Sequence, residues 1–191
     1  MVEFDGFGHI NIIIDDLEKA AEYYVGLLGA EKVQEFPHFK NAGFSRSAGF
    51  LEKPEDVDVS ICFLEIPNAG LFIELFEYHN PPGDQAIHFH KTNDMGGPRH
   101  ICLRVKEIDK AFDHVKSYEG VRLINPSAEY QPFKIDDITP DQFKFADPEL
   151  ESNLGEKQKV CDTVGRTRYF YFIDRYGVQW EFEQGHEDIG G

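Results

Sequence analysis

Two histidines and two glutamates in this chain stand at matching places. His9 and His100 each open a short run of β-branched and aliphatic residues. Glu74 and Glu181 each sit inside an apolar run, Leu71-Phe72-Ile73-Glu74-Leu75-Phe76 and Gly177-Val178-Gln179-Trp180-Glu181-Phe182. Two imidazoles and two carboxylates make a nitrogen–oxygen donor set suited to a borderline divalent ion such as Zn, Ni, Co, Fe or Mn. An ion held with open positions acts as a Lewis acid on a substrate oxygen, and a carboxylate beside it can move a proton. Each residue alone is commonplace, since a strand-opening His is usually a satisfied surface side chain and a strand Glu usually faces water. Their joint placement singles them out. Strict alternation sends Ile73 and Leu75 to the face opposite Glu74, and Trp180 and Phe182 to the face opposite Glu181. Glu74 then shares a face with Phe72 and Phe76, where a carboxylate without a partner is costly. Glu181 shares its face with Gln179 and Glu183, which is ordinary polar surface.

The elements that must position these residues are visible as an internal repeat. His9-Ile10-Asn11-Ile12-Ile13-Ile14-Asp15-Asp16-Leu17-Glu18-Lys19-Ala20 lies over His100-Ile101-Cys102-Leu103-Arg104-Val105-Lys106-Glu107-Ile108-Asp109-Lys110-Ala111 without a gap. Each copy begins as a strand and continues through an acidic residue placed to cap a helix. The first helix is expected over Leu17–Leu28, with Leu17, Ala20, Ala21, Tyr24, Leu27 and Leu28 at helical spacing and Gly29 ending it. The second is expected from Ile108 to about Tyr118, with Gly120 beyond. Each half then reads as β-α-β-β-β.

From His9 to Glu74 is 65 positions and from His100 to Glu181 is 81, so the second half is longer by 16. The extra length falls at about 125–165, where Pro126, Pro132, Pro140 and Pro148 suggest a long loop with room for one helical turn, able to cover a cleft. The expected organisation is a first module at 1–78, a linker at 79–98, a second module at 99–184 and a flexible tail at 185–191. The expected fold is α+β: two βαβββ modules related by pseudo-twofold symmetry, forming a curved open-barrel sheet of eight strands. Such an axis would bring His9, Glu74, His100 and Glu181 to one point.

The chain has 191 residues, 41% of them hydrophobic, and a formal net charge of −16. That charge argues against nonspecific binding to nucleic acid or anionic membranes, both of which need positive charge on the protein. No run reaches the length of a membrane span, and MVEFDGFGHI has neither a basic nor an apolar leader segment. Cys62, Cys102 and Cys161 are odd in number and widely spaced, as reduced thiols of a cytoplasmic protein would be.

The segments GHINIIIDDLEKAAEYYVGLLGA, LFIELFEY, PRHICLRVKEIDKAFDHV and FYFIDRYGVQWEFEQ resemble the vicinal oxygen chelate superfamily, the glyoxalase/bleomycin-resistance/dioxygenase family. The resemblance covers roughly 6–78 and 98–184. It implies paired βαβββ modules, frequently in a homodimer, with a divalent metal ion on His9, Glu74, His100 and Glu181. The ligand pattern is most similar to that of glyoxalase I-like proteins. It implies a lyase or isomerase that transfers a proton next to a carbonyl through a metal-stabilised enediolate, on a small carbonyl or vicinal-oxygen substrate, with Glu181 or Glu74 as base.

Alternatives of the same family are a methylmalonyl-CoA epimerase-like isomerase, an extradiol-type dioxygenase and a non-catalytic drug-binding resistance protein. Glutathione-dependent glyoxalases carry an arginine four positions after the first ligand histidine. This chain has Ile13 there, which argues for a substrate other than a glutathione adduct. His88-Phe89-His90 places two further imidazoles on one face, in a segment that reads as surface. Arg104 follows His100 by four residues and shares its face. Tyr130 and Phe133 are placed to line a cleft under the insertion.

Overall fold

Each copy of the repeat folds as a strand followed by a helix. In the computed structural model, which describes residues 2–3 and 5–185, the chain divides into two compact units, Met1–Phe89 and His90–Gly191. The division falls inside the 79–98 stretch, and all but the first residue of the expected tail lies outside the described residues.

The first unit opens with β1 (Ile10–Ile13) and α1 (Leu17–Leu28). The helix has the bounds its periodicity predicts, and local chemistry explains both ends. The Asp16 side chain accepts a hydrogen bond from the Lys19 N–H, satisfying one of the free donors of the first turn. Gly29 closes the helix at φ 67°, a left-handed conformation that costs least at glycine. Ala20, Tyr24 and Leu27 of its inner face are buried. Three longer strands follow: β2 (Glu31–Phe39), β3 (Asp58–Ile66) and β4 (Leu71–Asn80). A short helix, α2 (Ala42–Ser47), and one 3-10 turn, Pro54–Asp56, lie between β2 and β3. The strand order is β1-β4-β3-β2, with β1 parallel to β4 and the other pairs antiparallel. Val59, Ile61 and Phe76 form a core cluster on this sheet, with Phe36, Phe39, Phe44, Phe63 and Tyr78 packed against it.

The second unit repeats the plan with β5 (Ile101–Arg104), α3 (Ile108–Ser117), β6 (Arg122–Leu123), β8 (Arg168–Ile173) and β9 (Gln179–Gln184). The insertion adds β7 (Phe133–Lys134), α4 (Pro148–Glu151) and α5 (Leu154–Val164). The order is β5-β9-β8-β6, with β7 also pairing with β8. The first strand is again parallel to the last. The fold is therefore α+β with two open sheets, four strands in the first module and the same four plus β7 in the second.

Two local features differ from the sequence reading. The insertion carries an eleven-residue helix, α5, where its prolines and charges suggested a loop. The Asn153 side chain caps α5 by accepting from the Gly155 and Glu156 N–H groups, and its inner face buries Lys157, Cys161 and Val164. A lysine in a core position hid the amphipathic pattern. Its ammonium is satisfied by the Phe143 carbonyl and by Glu151 Oε1, each at 3.0 Å. The second difference is at the start of α3, where the Glu107 side chain makes no capping bond. The Ile108 N–H donates instead to Gln184 Oε1 at 3.0 Å. The first module has the same device, for the Leu17 N–H donates to Glu77 Oε2 at 2.9 Å. Both helices thus start on a side chain three residues beyond the strand glutamate of their own module.

Candidate metal centre

His9 immediately precedes β1, and His100 immediately precedes β5. The parallel pairing sets Asn11 opposite Glu74 and Cys102 opposite Glu181, the same register in each module. A residue two positions upstream on a strand projects to the same face, so each histidine is carried to its own module's glutamate. His9 Nε2 lies 3.1 Å from Glu74 Oε2, and His100 Nε2 lies 2.9 Å from Glu181 Oε2. The carboxylates are largely buried, at 13% and 12% side-chain exposure, while the imidazoles are 44% and 38% exposed. The expected alternation also holds. Ile73 and Leu75 beside Glu74, and Trp180 and Phe182 beside Glu181, are all buried. Of the four predicted residues, the structure brings together His9 with Glu74 and His100 with Glu181, each pair within one module.

The surroundings of the two pairs differ. In the first, Asn11 Nδ2 donates to the Glu74 carbonyl at 3.1 Å and to its Oε2 at 3.2 Å. The Phe63 ring meets His9 edge-on at 6.0 Å. In the second, Cys102 replaces Asn11, and its thiol stands within 4.8 Å of carboxylate oxygens of Glu181 and Glu183. Tyr171 replaces Phe63, since Phe63 is registered on Glu74 and Tyr171 on Glu181. The Tyr171 ring lies 5.3 Å from that of His100 and its hydroxyl hydrogen-bonds Glu181. Burial, and then the charge of Glu181, hold the Tyr171 phenol far above its ordinary range. Burial and the same charge also raise Tyr169. The Tyr171 phenol therefore stays protonated and able to donate to the carboxylate.

Tyr130 holds Tyr171 in place. Its hydroxyl accepts from the Tyr171 N–H at 2.8 Å and donates to the Tyr171 carbonyl at 3.1 Å. Asp174, fully buried, accepts from the N–H groups of Tyr176 and Val178 and from Trp180 Nε1, which fixes the residue before Glu181. Tyr171 and Asn11 were missed by the sequence reading. Their roles follow from strand register, which the alternation of one strand does not reveal.

The remaining candidates, Arg104 excepted, lie elsewhere. His88 Nε2 is 3.5 Å from Asp84 and His90 Nδ1 is 4.0 Å from Asp94, in exposed pairs. Arg104 is exposed on the same strand face as Cys102. Tyr130 is buried, and its hydroxyl serves the β8 backbone. An open depression of about 650 Å³ beside α3, lined by Phe112, Lys116, Tyr130 and Pro132 among others, holds none of the four predicted residues.

Residues 6–182 match the model of the Glyoxalase/Bleomycin resistance protein/Dioxygenase superfamily. The chain belongs to this superfamily. Among characterised relatives, a 2-epi-5-epi-valiolone epimerase from an Actinomyces species is 27% identical over 91% of this chain and 75% of its own length. An ethylmalonyl-CoA/methylmalonyl-CoA epimerase of Cereibacter sphaeroides is 30% identical over 61% of this chain and 72% of its own length. Among solved structures, a glyoxalase family protein from Bacillus cereus superposes with a TM-score of 0.62, covering 97% of each chain at 14% identity. At that identity the superposition speaks for the superfamily fold alone. No helix among the described residues is long and apolar enough to cross a membrane.

Proposed function

We propose that this superfamily member is a divalent-metal-dependent enzyme that moves a proton at a carbon next to a carbonyl, as an epimerase or related isomerase of a small molecule. Its metal ligands are His9, Glu74, His100 and Glu181. The observation that carries the reading is the duplicated His–Glu pair: the same two atoms, Nε2 and Oε2, meet at 3.1 and 2.9 Å at the same register in both modules.

The donor set fits such an ion. Imidazole nitrogen with carboxylate oxygen is the combination that borderline divalent metals take. Each carboxylate is largely buried and oriented by a neutral donor, Asn11 Nδ2 on Glu74 and the Tyr171 hydroxyl on Glu181. Orientation of ligands by hydrogen bonds of this kind is usual at metal centres. When bound, the ion supplies Lewis acidity that makes the C–H beside a carbonyl easier to break.

The protein's own groups do the rest. One glutamate takes the proton from the α-carbon as general base, and the other delivers a proton to that carbon as general acid. Inversion at that carbon needs removal from one face and delivery to the other, and each module supplies one carboxylate. Ile13, half-exposed beyond Asn11 on the same strand face, leaves the first module without a cation for a substrate carboxylate at that point. The names of the two relatives, both epimerases, support an isomerase over a lyase.

The test is α-proton exchange in D₂O with metal-loaded protein, using branched acyl-CoA thioesters and cyclic hydroxyketones as candidate substrates. Exchange lost in Glu181→Gln or Glu74→Gln with metal retained is the expected result. No exchange in any candidate, together with oxygen-dependent ring cleavage of a catechol, would move the protein to dioxygenase chemistry.

A further inference from the structure

A second group of ligand-type side chains gathers at the end of the first sheet. His38 of β2, Asp58 of β3 and His79 of β4 place one ligand-capable atom each within 4.8 Å of one another. His38 Nδ1 is 3.1 and 3.2 Å from the two Asp58 oxygens, and the His38 and His79 rings stack at 4.5 Å between centroids. His79 lies five residues beyond Glu74 along β4, so this group is separate from the His9–Glu74 pair.

The backbone is bent to make the group. The β2–β3 pairing slips between Phe36 and Phe39, which leaves Pro37 and His38 opposite Ser60 alone. His38 adopts φ 49°, a left-handed conformation that an ordinary residue takes at a cost of about 1 kcal/mol or more. Bulges of this kind re-aim a side chain, and they concentrate beside functional sites. The buried Ser60 hydroxyl secures both histidines, accepting from the His38 N–H at 3.1 Å and lying 2.8 Å from His79 Nε2. Glu77 Oε1 stands 3.4 Å from His79 Nδ1, while its other oxygen accepts from the first turn of α1. A carboxylate behind Nδ1 in this way resembles the orienting partner of an imidazole that binds metal through Nε2, which would exchange its Ser60 contact for the ion. The cation now nearest Asp58 is Lys40, whose Nζ is 3.3 Å from Oδ2 and whose side chain is 56% exposed. An incoming ion would displace it into solvent.

We propose that His38, Asp58 and His79 form a second divalent-metal site, a two-histidine, one-carboxylate set with the ligand chemistry of zinc, cobalt or nickel. Water would complete the coordination. The ion would tie the ends of β2, β3 and β4 together, so it would stabilise the first module whether or not the His9–Glu74 pair is occupied.

The experiment is titration of the metal-stripped full chain with Zn²⁺ alone, read by calorimetry and by elemental analysis after dialysis. Wild type should bind two ions per chain. The double variant His38→Gln/His79→Gln should bind one, and His9→Gln/His100→Gln should bind one at the remaining site. A His38→Gln/His79→Gln protein with wild-type stoichiometry and affinities overturns the proposal. So does a His9→Gln/His100→Gln protein that binds no ion, which would leave the reading of the His–Glu pairs intact. Should the double variant fail to fold, imidazole NMR of wild type decides. Zn²⁺ must shift the ring nitrogens of both His38 and His79, and unshifted rings refute the site.

Discussion

Tyr171 stands in the second module where Phe63 stands in the first, each registered across a strand pair on the glutamate of its own module. The duplicated His–Glu pairs are therefore alike in the atoms that meet and unlike in what supports them. Glu181 receives a phenol hydroxyl where Glu74 faces a phenyl ring and takes its donor from Asn11. Tyr171→Phe should remove that donor with almost no change in shape. The expected cost is about 1 kcal/mol, below the figure for a fully buried bond to a charged group because Glu181 keeps some contact with water. Urea unfolding checks it, and an unchanged midpoint would mean that the hydroxyl contributes nothing to the folded state.

Asp174 offers a sharper test of how the second module holds Glu181. Its buried carboxylate satisfies two backbone N–H groups and the Trp180 indole. Asp174→Ala strands one buried and two part-buried donors, so a loss of about 3 kcal/mol is expected. Trp180 is the sole tryptophan in the chain, so its fluorescence reports on this turn directly. A shifted emission maximum in Asp174→Ala, with a smaller shift in Asp174→Asn, is the expected outcome.

The pairing of Leu17 with Glu77 and of Ile108 with Gln184 gives a third. Both α1 and α3 begin on a side chain from the last strand of their module. Glu77→Ala and Gln184→Ala should each cost about 1 kcal/mol, the usual value of a lost helix N-terminal bond. Glu77→Gln should be nearly neutral, because Gln184 does the same work with an amide. Thermal melts of the three variants distinguish these outcomes.

The fold was legible because its strongest signal, the ungapped repeat from His9 and His100, carries strand and helix together. The bounds of α1 follow from Asp16, six apolar residues at helical spacing and Gly29, all local chemistry. The sequence reading expected His9, Glu74, His100 and Glu181 at one point, and the structure pairs each histidine with the glutamate of its own module. The roles of Tyr171 and Asn11 were not legible, because which residue faces a glutamate depends on register between strands, which the pattern of one strand does not show. The bulge at Pro37-His38 was hidden likewise, as it exists only relative to β3. Helix α5 escaped because Lys157 occupies a core position, and its burial is possible only through partners at 143 and 151.

That lysine leads to the last prediction. Glu151 binds Lys157 Nζ at 3.0 Å and also accepts from the Phe145 N–H at 2.8 Å. The Lys157 hydrogen bond first, and then the Phe145 N–H, hold the Glu151 carboxyl below the ordinary glutamate range. A carboxyl lowered in the folded state stabilises it fully above its unfolded pKa, and that contribution disappears as pH falls through the folded value. The bond joining α4 to α5 should therefore be intact at neutral pH and should be lost only below the ordinary carboxylate range. Its loss leaves the Lys157 ammonium buried with the Phe143 carbonyl as its remaining partner among the bonds described, so the insertion should open locally before the sheets do. Amide exchange should show residues 154–164 losing protection on the acid side while β8 and β9 keep theirs. Glu151→Gln should abolish that pH step and leave α5 weakly protected at every pH. If the wild-type helix and the β9 strand lose protection together, the insertion is bound to its module by more than this pair.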